Sequence, residues 1–501
     1  MITRSLSSNS IFSLLGIGKQ DKPSLRVLAF IVITLSAIIL RLTLSFSHDL
    51  ILGIDGGYYP VQVRNIIKTG LLSFNDVPMY FYFCASIIKV ISLLGFTVTN
   101  ELIISVIKIL DSTALPLLAI PLIKIMTMRD QTLPLFSEFA VLSFAIFSFS
   151  PFIMLGDLQK NAFAIPIFIA FIYSLEGFLM IQSKRNLIVT LIALFLIAFT
   201  HFGTFTMALT LLVIVLSIVY QKKAILPSLI ILIVGFVIIY LFDSHRAIRL
   251  MNFYIEIFGG HIDLQGPFMI PLLLNALLSY TIAGTAIYQY RKHKHKADRA
   301  TGYMILSLIV LIFIFAFPFY ETQYVQRFNV LLFVPQSMLI LYIIRINQKL
   351  AVPFSISLTL LTVIFIFIYF REDKKPCIDE LAYRDLQNIK SYIPADKAET
   401  IIIARHGLEF WTAWNLNMKV ANDRTMDNLG LEKYKHIIFL QSKNEDKQGP
   451  LGGRPLHKPG SPEGGPPPNG PGMGMRMGHT IPENFKLIYS SSYFNAYKKL
   501  N

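Results

Sequence analysis

Charge is scarce in this sequence. Only 15% of its 501 residues are Asp, Glu, Lys or Arg, against about 25% in soluble domains. Acids are the scarcer sign, with 30 Asp and Glu beside 45 Lys and Arg, for a net charge of +15. Cysteine is nearly absent. Cys84 and Cys377 alone make no disulfide framework and no cysteine metal motif. The first apolar run has no small-residue cleavage site after it, so it reads as an anchor rather than a removed signal peptide. What fills the chain instead is apolar: 54% of residues are hydrophobic, and the mean hydropathy is +0.58. That balance excludes an ordinary soluble domain and defines a polytopic membrane protein. A basic excess would suggest nucleic acid in a soluble chain. Here Lys and Arg gather in short loops between apolar runs, so no nucleic-acid partner is expected.

The apolar runs set an order. Residues 1–26 are polar and basic and read as a cytoplasmic N-terminus. The first span runs over 27–47, and 48–101 form a large first external loop. Within that loop, 79–96 is apolar but short and interrupted by Lys89, so it reads as an interfacial or re-entrant helix. Further spans fall near 102–126, 133–152, 162–181, 186–203, 205–221, 224–242, 267–289, 300–319, 328–346 and 351–370. With about eleven spans, every strongly basic short loop lies on one side: Lys124 and Arg129, Lys184 and Arg185, Lys222 and Lys223, 291–299, and Arg345 with Lys349. The expected fold is an α-helical polytopic transmembrane domain over 27–370 with an external C-terminal domain over 371–501.

The tail reads as a small α/β unit. Residues 379–393 have helical periodicity. TIIIAR (400–405) and HIIFLQ (436–441) read as buried strands, with GLEFWTAWNL (407–416) as a helix between them. FKLIYSS and YFNAYKKL read as closing strands. The Pro/Gly-rich stretch 443–482 lacks core-forming residues and reads as a disordered insertion, removable without loss.

The candidate chemistry starts at GIDGGYYPVQVRNIIKTG (53–70). Asp55 follows the first span, then a Gly56–Gly57 turn and the paired aromatics Tyr58 and Tyr59. The second external loop, 150–164, carries Asp157, Lys160 and Asn161 at spacings that a helix start would place on one face. His201 and Thr204 end the fifth span. Further polar groups are Arg246, Arg249, Glu321 and Arg327. All are expected at the external ends of the spans, where they can share one cavity. Such a set suits a phosphate-linked lipid whose head group lies at the interface. Arg and Lys bind phosphate, a carboxylate acts as general base, and the departing phosphate needs positive charge or a metal ion. Inside the spans, Arg41 either snorkels outward or pairs with an acid of the next loop, while Lys108 and Asp111 are spaced to neutralise each other.

Arg41, DGGYY (55–59) and the helix ending KTG (68–70) resemble the start of the class C (GT-C) membrane glycosyltransferases. VPMYFYF (77–83), LLGF (93–96) and SPFIMLGDLQKN are similar to the loop elements of the protein O-mannosyltransferase and aminoarabinose transferase branch. The resemblance covers roughly 27–200 by motif. It implies inverting transfer of a hexosyl or pentosyl group from a polyprenyl-phosphate donor to a hydroxyl acceptor on the external face. Asp55 and Asp157 would be the catalytic acids. Arg41, Tyr58, Tyr59, Lys160, Asn161, His201, Arg246, Arg249, Glu321 and Arg327 would bind substrate. No cofactor is certain. A divalent cation, Mg or Mn, held by Asp55 and Asp157 is the one candidate. The chain departs from the family where a second acid usually follows the first: Gly56 stands there. It also lacks the WWDYG motif of oligosaccharyltransferases.

Two other classes fit the composition. A transporter or flippase of lipid-linked sugars predicts internal repeats with broken spans at matching positions; no repeat is evident, and Pro116 and Pro121 break one span only. A non-catalytic membrane assembly or sensor protein would need fewer spans and no clustered external acids.

Overall fold

The computed structural model describes residues 23–128, 133–242, 269–371, 374–394, 396–423, 430–443 and 484–500, with Ser244 and Ile248. The chain divides into two compact units. One comprises Met1–Ser47 with Gln62–Asp373, the other His48–Val61 with Lys374–Asn501. The sequence reading keeps 48–61 with the spans and begins the tail at 371. By contacts, the loop after the first span groups with the tail.

The first unit is helical. Among the described residues, seven helices are long and apolar enough to cross a membrane. In lipid every backbone polar group must be satisfied within the segment, and helices achieve this. One of the seven, Phe202–Phe242, has 41 residues, about twice the roughly 20 needed for one crossing. It contains Phe202–Tyr220, a 3₁₀ turn at Gln221–Ala224 and Ile225–Phe242. Gln221 has a φ of 50° there, and Lys222 and Lys223 occupy the turn. The sequence reading divides the same run into two spans. Shorter apolar helices are Met79–Leu93, Arg299–Phe315 and Phe333–Ile346. The second expected span bends as its prolines require: Asn100–Ala114 and Ala119–Thr127 are joined by a 3₁₀ turn, Leu115–Leu118, with Pro116 near its start.

Met79–Leu93 is 15 residues long, or about 22 Å at 1.5 Å per residue. That is too short for a hydrocarbon core of about 30 Å. It buries Tyr80, Phe81, Cys84, Ala85 and Ile88 and leaves Phe83, Val90 and Leu93 exposed.

Several buried charges inside this unit are paired. Arg26 meets Glu138 at 2.9 Å. Glu176 accepts from the Tyr342 hydroxyl at 2.7 Å, and Arg345 lies 4.0 Å away. Gln336 donates to Asn275 at 2.9 Å and to Ser279 at 2.8 Å. Where the surroundings are as apolar as lipid, such polar links join helices that the hydrophobic effect cannot.

The second unit is a five-stranded sheet in the order β2-β1-β3-β5-β4. The strands are β1 Thr400–Ala404, β2 Lys419–Asn422, β3 His436–Ser442, β4 Phe485–Ser490 and β5 Phe494–Lys499. Strand β1 reads Thr-Ile-Ile-Ile-Ala and is buried throughout, as suits a β-branched strand covered on both faces. It pairs in parallel with β2 and β3, while β5 is antiparallel to β3 and β4. The helices Glu380–Ile389 and Leu408–Leu416 belong to the same unit, and Trp411 and Trp414 of the second are fully buried. Strand β2 escapes the sequence reading because it is four residues long with one buried position.

The insertion 443–482 lies, beyond Lys443, outside the described residues. Its flanks correct one expectation. Ser442 pairs with Phe494 at one end of β5, whereas Phe485 pairs with Lys499 at the other. Strands β3 and β4 therefore run parallel on either side of β5. A parallel connection needs about a dozen residues, so the whole stretch is not removable.

Candidate functional site

In the second unit the candidate site lies where β1 ends. Parallel sheets place their sites at the carboxyl ends of strands, where the strand order reverses. In the order β2-β1-β3 that point is β1. The chain leaves Ala404 as Arg405-His406-Gly407 and enters the Leu408–Leu416 helix. Gly407 has a φ of +91°, and a Cβ there would meet Ile54 Cγ2 at 2.8 Å and Cys377 Sγ at 2.9 Å. Glycine thus allows the loop after the first span to close on this turn. Two backbone bonds hold that loop: Gly53 N–H donates to Lys375 O at 2.9 Å, and Cys377 N–H donates to Gly53 O at 3.1 Å.

The result places Asp55 beside His406. Asp55 Oδ1 lies 3.4 Å from His406 Nε2. The other ring nitrogen, Nδ1, lies 3.0 Å from Glu409 Oε1, which also accepts from Asn422 Nδ2 at 3.2 Å. The imidazole is therefore set between two carboxylates. Exposure grades along the row: the His406 side chain is 44% exposed and Asp55 35%, but Glu409 only 5%. Tyr58 packs edge-on to Phe410 with centroids 5.0 Å apart, and His406 lies 5.7 Å from the same ring. A carboxylate, an imidazole and half-buried aromatics are suited to a hydroxyl-rich ligand: the acids and base hydrogen-bond hydroxyls and the rings cover C–H faces.

The first unit contains a second polar system. Arg41 is 2% exposed. It donates through Nη1 to Pro151 O at 2.6 Å and through Nη2 to Asp111 O at 3.0 Å. Its guanidinium also pairs with the Asp111 carboxylate at 3.7 Å. Asp111 Oδ2 accepts from Gly156 N–H at 2.6 Å. Gly156 O accepts from Gln159 Nε2 at 3.1 Å, and Gln159 Oε1 accepts from the Tyr80 hydroxyl at 2.7 Å. This chain of bonds pins the turn that carries Asp157. Beside it, buried Lys160 pairs with buried Asp76 and stands over the Phe81 ring.

Several expected roles change. Arg41 does not snorkel: it is buried and pairs with Asp111, from a later helix. Lys108 stands 5.1 Å from the centre of the Phe46 ring. Asp157, Lys160 and Asn161 do not share a helix face, because the helix begins at Gln159, after Gly156 at φ 85°. Lys160 and Asn161 are buried, while Asp157 is half-buried in the preceding turn. Tyr59 is 2% exposed and serves the core; Tyr58 keeps more of its surface. His201 caps the Phe202–Tyr220 helix, accepting from Thr204 N–H at 3.1 Å. Glu321 precedes the short helix Thr322–Asn329, and Arg327 is exposed on it. Arg246 and Arg249 lie outside the described residues.

Sequence reasoning missed Asp76, His406 and Glu409. His406 sits between an apolar strand and GLEFW, a strand-to-helix turn in an α/β unit. That context was the available signal.

No family model and no curated protein matches the chain. Asp55 belongs to the second unit and Asp157 to the first. Among the described residues no group of three or more His, Cys, Asp or Glu is arranged to hold a metal ion. No step of the proposed reaction passes through a cation.

Proposed function

We propose that the chain is an inverting membrane glycosyltransferase. It takes a hexosyl or pentosyl group from a polyprenyl-phosphate donor and passes it to a hydroxyl acceptor on the external face. In this reading the N-terminus is cytoplasmic, about eleven spans follow, and the C-terminal domain is external. The observation that carries the proposal is the setting of Asp55: a partly exposed carboxylate next to His406, whose ring, like that of Tyr58, lies against Phe410. The resemblance of Arg41 and DGGYY to the class C glycosyltransferases supports it.

The chemistry is a single displacement. Asp55 takes the proton of the acceptor hydroxyl as that oxygen attacks the anomeric carbon. The bond from that carbon to the phosphate oxygen breaks, and the lipid phosphate leaves with the electron pair. Attack opposite the leaving group inverts the centre.

Two measurements test this. Mass spectrometry of lipids that co-purify with the full chain should find a polyprenyl-phosphate sugar. Asp55→Asn should abolish transfer from synthetic polyprenyl-phosphate hexose and pentose donors while the purified chain stays folded. Wild-type turnover by that variant would remove Asp55 as the base.

A further inference from the structure

We propose that the two short loops 291–299 and 347–349 together bind the phosphate head groups of anionic phospholipid at the membrane surface. This goes beyond the transfer reaction and does not rest on it.

The sequence concentrates charge here. Residues 291–299 read RKHKHKADR: five cations, two histidines and one acid. Other turns between apolar helices carry a pair, Lys184 with Arg185 or Lys222 with Lys223. Orienting a helix in the membrane needs only such a bias. Four to eight cations at the end of an apolar helix are the pattern that gathers anionic head groups.

Packing brings a further cation to this loop. Asn347 Nδ2 donates to Gln289 Oε1 at 3.1 Å, and Gln289 O accepts from His293 N–H at 2.9 Å. The loop after Phe333–Ile346 is thereby tied to the end of Met269–Lys292. Lys349 belongs to the tied loop, and its charge is felt at His293. The His293 pKa is lowered from its ordinary value by desolvation first, then by Lys296, Lys292, His295 and Lys349. Neighbouring cations disfavour another positive charge, and an anion among them relieves that repulsion. The one acid of the loop is already engaged: Asp298 Oδ1 accepts from Thr301 N–H at 2.7 Å and caps the helix Arg299–Phe315.

The position fits a lipid. Lys292 ends Pro271–Lys292, and Lys349 lies in the first turn of Gln348–Ile368; both helices are long and apolar enough to cross a membrane. The cations therefore stand where such helices leave hydrocarbon. Tyr288, one turn before Lys292, is 57% exposed, with its hydroxyl 3.4 Å from Lys292 Nζ. Exposed tyrosines at helix ends sit at head-group depth. Arg291, Lys292, Lys294, Lys296, Arg299 and Lys349 are all exposed, so lipid phosphates can reach them without rearrangement of the fold.

The test uses the full chain, delipidated in neutral detergent. Phosphatidylglycerol should raise the thermal unfolding midpoint, and phosphatidylcholine with the same acyl chains should not. The rise should shrink as salt is added. Native mass spectrometry then reads phosphatidylglycerol binding in two variants. Lys292→Gln, Lys294→Gln and Lys296→Gln combined should weaken it by about tenfold. Lys184→Gln, Lys222→Gln and Lys223→Gln combined remove as many charges elsewhere and should leave it unchanged. Equal effects of the two lipids, a rise indifferent to salt, or the same loss in both triple variants would each overturn the proposal. Inorganic phosphate that raises the midpoint as far as phosphatidylglycerol does would assign the cluster to a free anion, and would overturn it too. The wild-type arms decide even where a triple variant fails to fold.

Discussion

Arg41 and Asp111 meet at 3.7 Å with side chains 2% and 1% exposed. One comes from the first span, the other from the helix Asn100–Ala114. Together they anchor the turn before Gln159, since Arg41 also holds Pro151 O and Asp111 also holds Gly156 N–H. Removing one partner of a buried pair leaves an uncompensated charge, at a cost of about 3–5 kcal/mol. Arg41→Met and Asp111→Leu should each lower the thermal unfolding midpoint in detergent. The double variant should be more stable than either single one. Additive losses would show that the two residues do not act as a pair.

Gly56 stands where the resembling family carries a second acid. The structure supplies a reason. A Cβ at Gly56 would lie 2.4 Å from Ile51 O, and one at Gly57 would lie 2.8 Å from Trp411 N. Both neighbours are backbone atoms and cannot swing aside. Overpacking of this kind costs about 1–3 kcal/mol. Gly56→Glu should therefore reduce the yield of monodisperse protein and lower transfer rather than raise it. A stable, more active Gly56→Glu chain would refute the steric account.

The flanks of 443–482 make a graded prediction. The ends to be joined lie five residues apart along β5, at Phe494 and Lys499. That is about 17 Å of strand at 3.4 Å per residue, plus the width of the strand between them. Replacing the stretch with a Gly/Ser linker of about a dozen residues should preserve the sheet. Deleting it outright should free β4 from β5. Hydrogen exchange at Phe485–Ser490 separates the outcomes: slow exchange after complete deletion would contradict the crossover.

The C-terminal sheet should weaken at alkaline pH. The Tyr489 phenol is raised above its ordinary value near 10, first by desolvation and then by the hydrogen bond it donates to Asp385. A group whose pKa is raised on folding stabilises the fold below its unfolded pKa and loses that contribution as pH rises through the folded value. Stability should thus be constant below about pH 9 and fall above pH 10 as the phenol ionises. Tyr489→Phe should flatten that alkaline limb, as read by chemical unfolding of the full chain. An unchanged limb would assign the loss to other tyrosines.

Local patterns were legible where one physical constraint dominates. The helices of the first unit follow from long apolar runs. Strand β1 follows from an isoleucine triplet between polar residues, and the β4–β5 pair from two short runs around a turn. The site was legible only in part. Asp55 stood out because it follows a span and precedes glycines. His406 did not, because a histidine beside a buried strand carries no mark of its partners. Lys108 and Asp111 are spaced for a pair along one helix, and only packing shows that Arg41 also reaches the acid.

The amino-acid sequence by itself determined a helical membrane protein with a small sheet-bearing tail. Hydrophobic length and periodicity are local properties, and backbone in an apolar medium has few ways to satisfy its hydrogen bonds. Only the tertiary structure decided which charge meets which. It set Arg41 on Asp111, Lys160 on Asp76, and His406 between Asp55 and Glu409. Electrostatic pairing depends on distances of a few ångströms between residues remote in the chain, and those distances exist only once the apolar surfaces have packed.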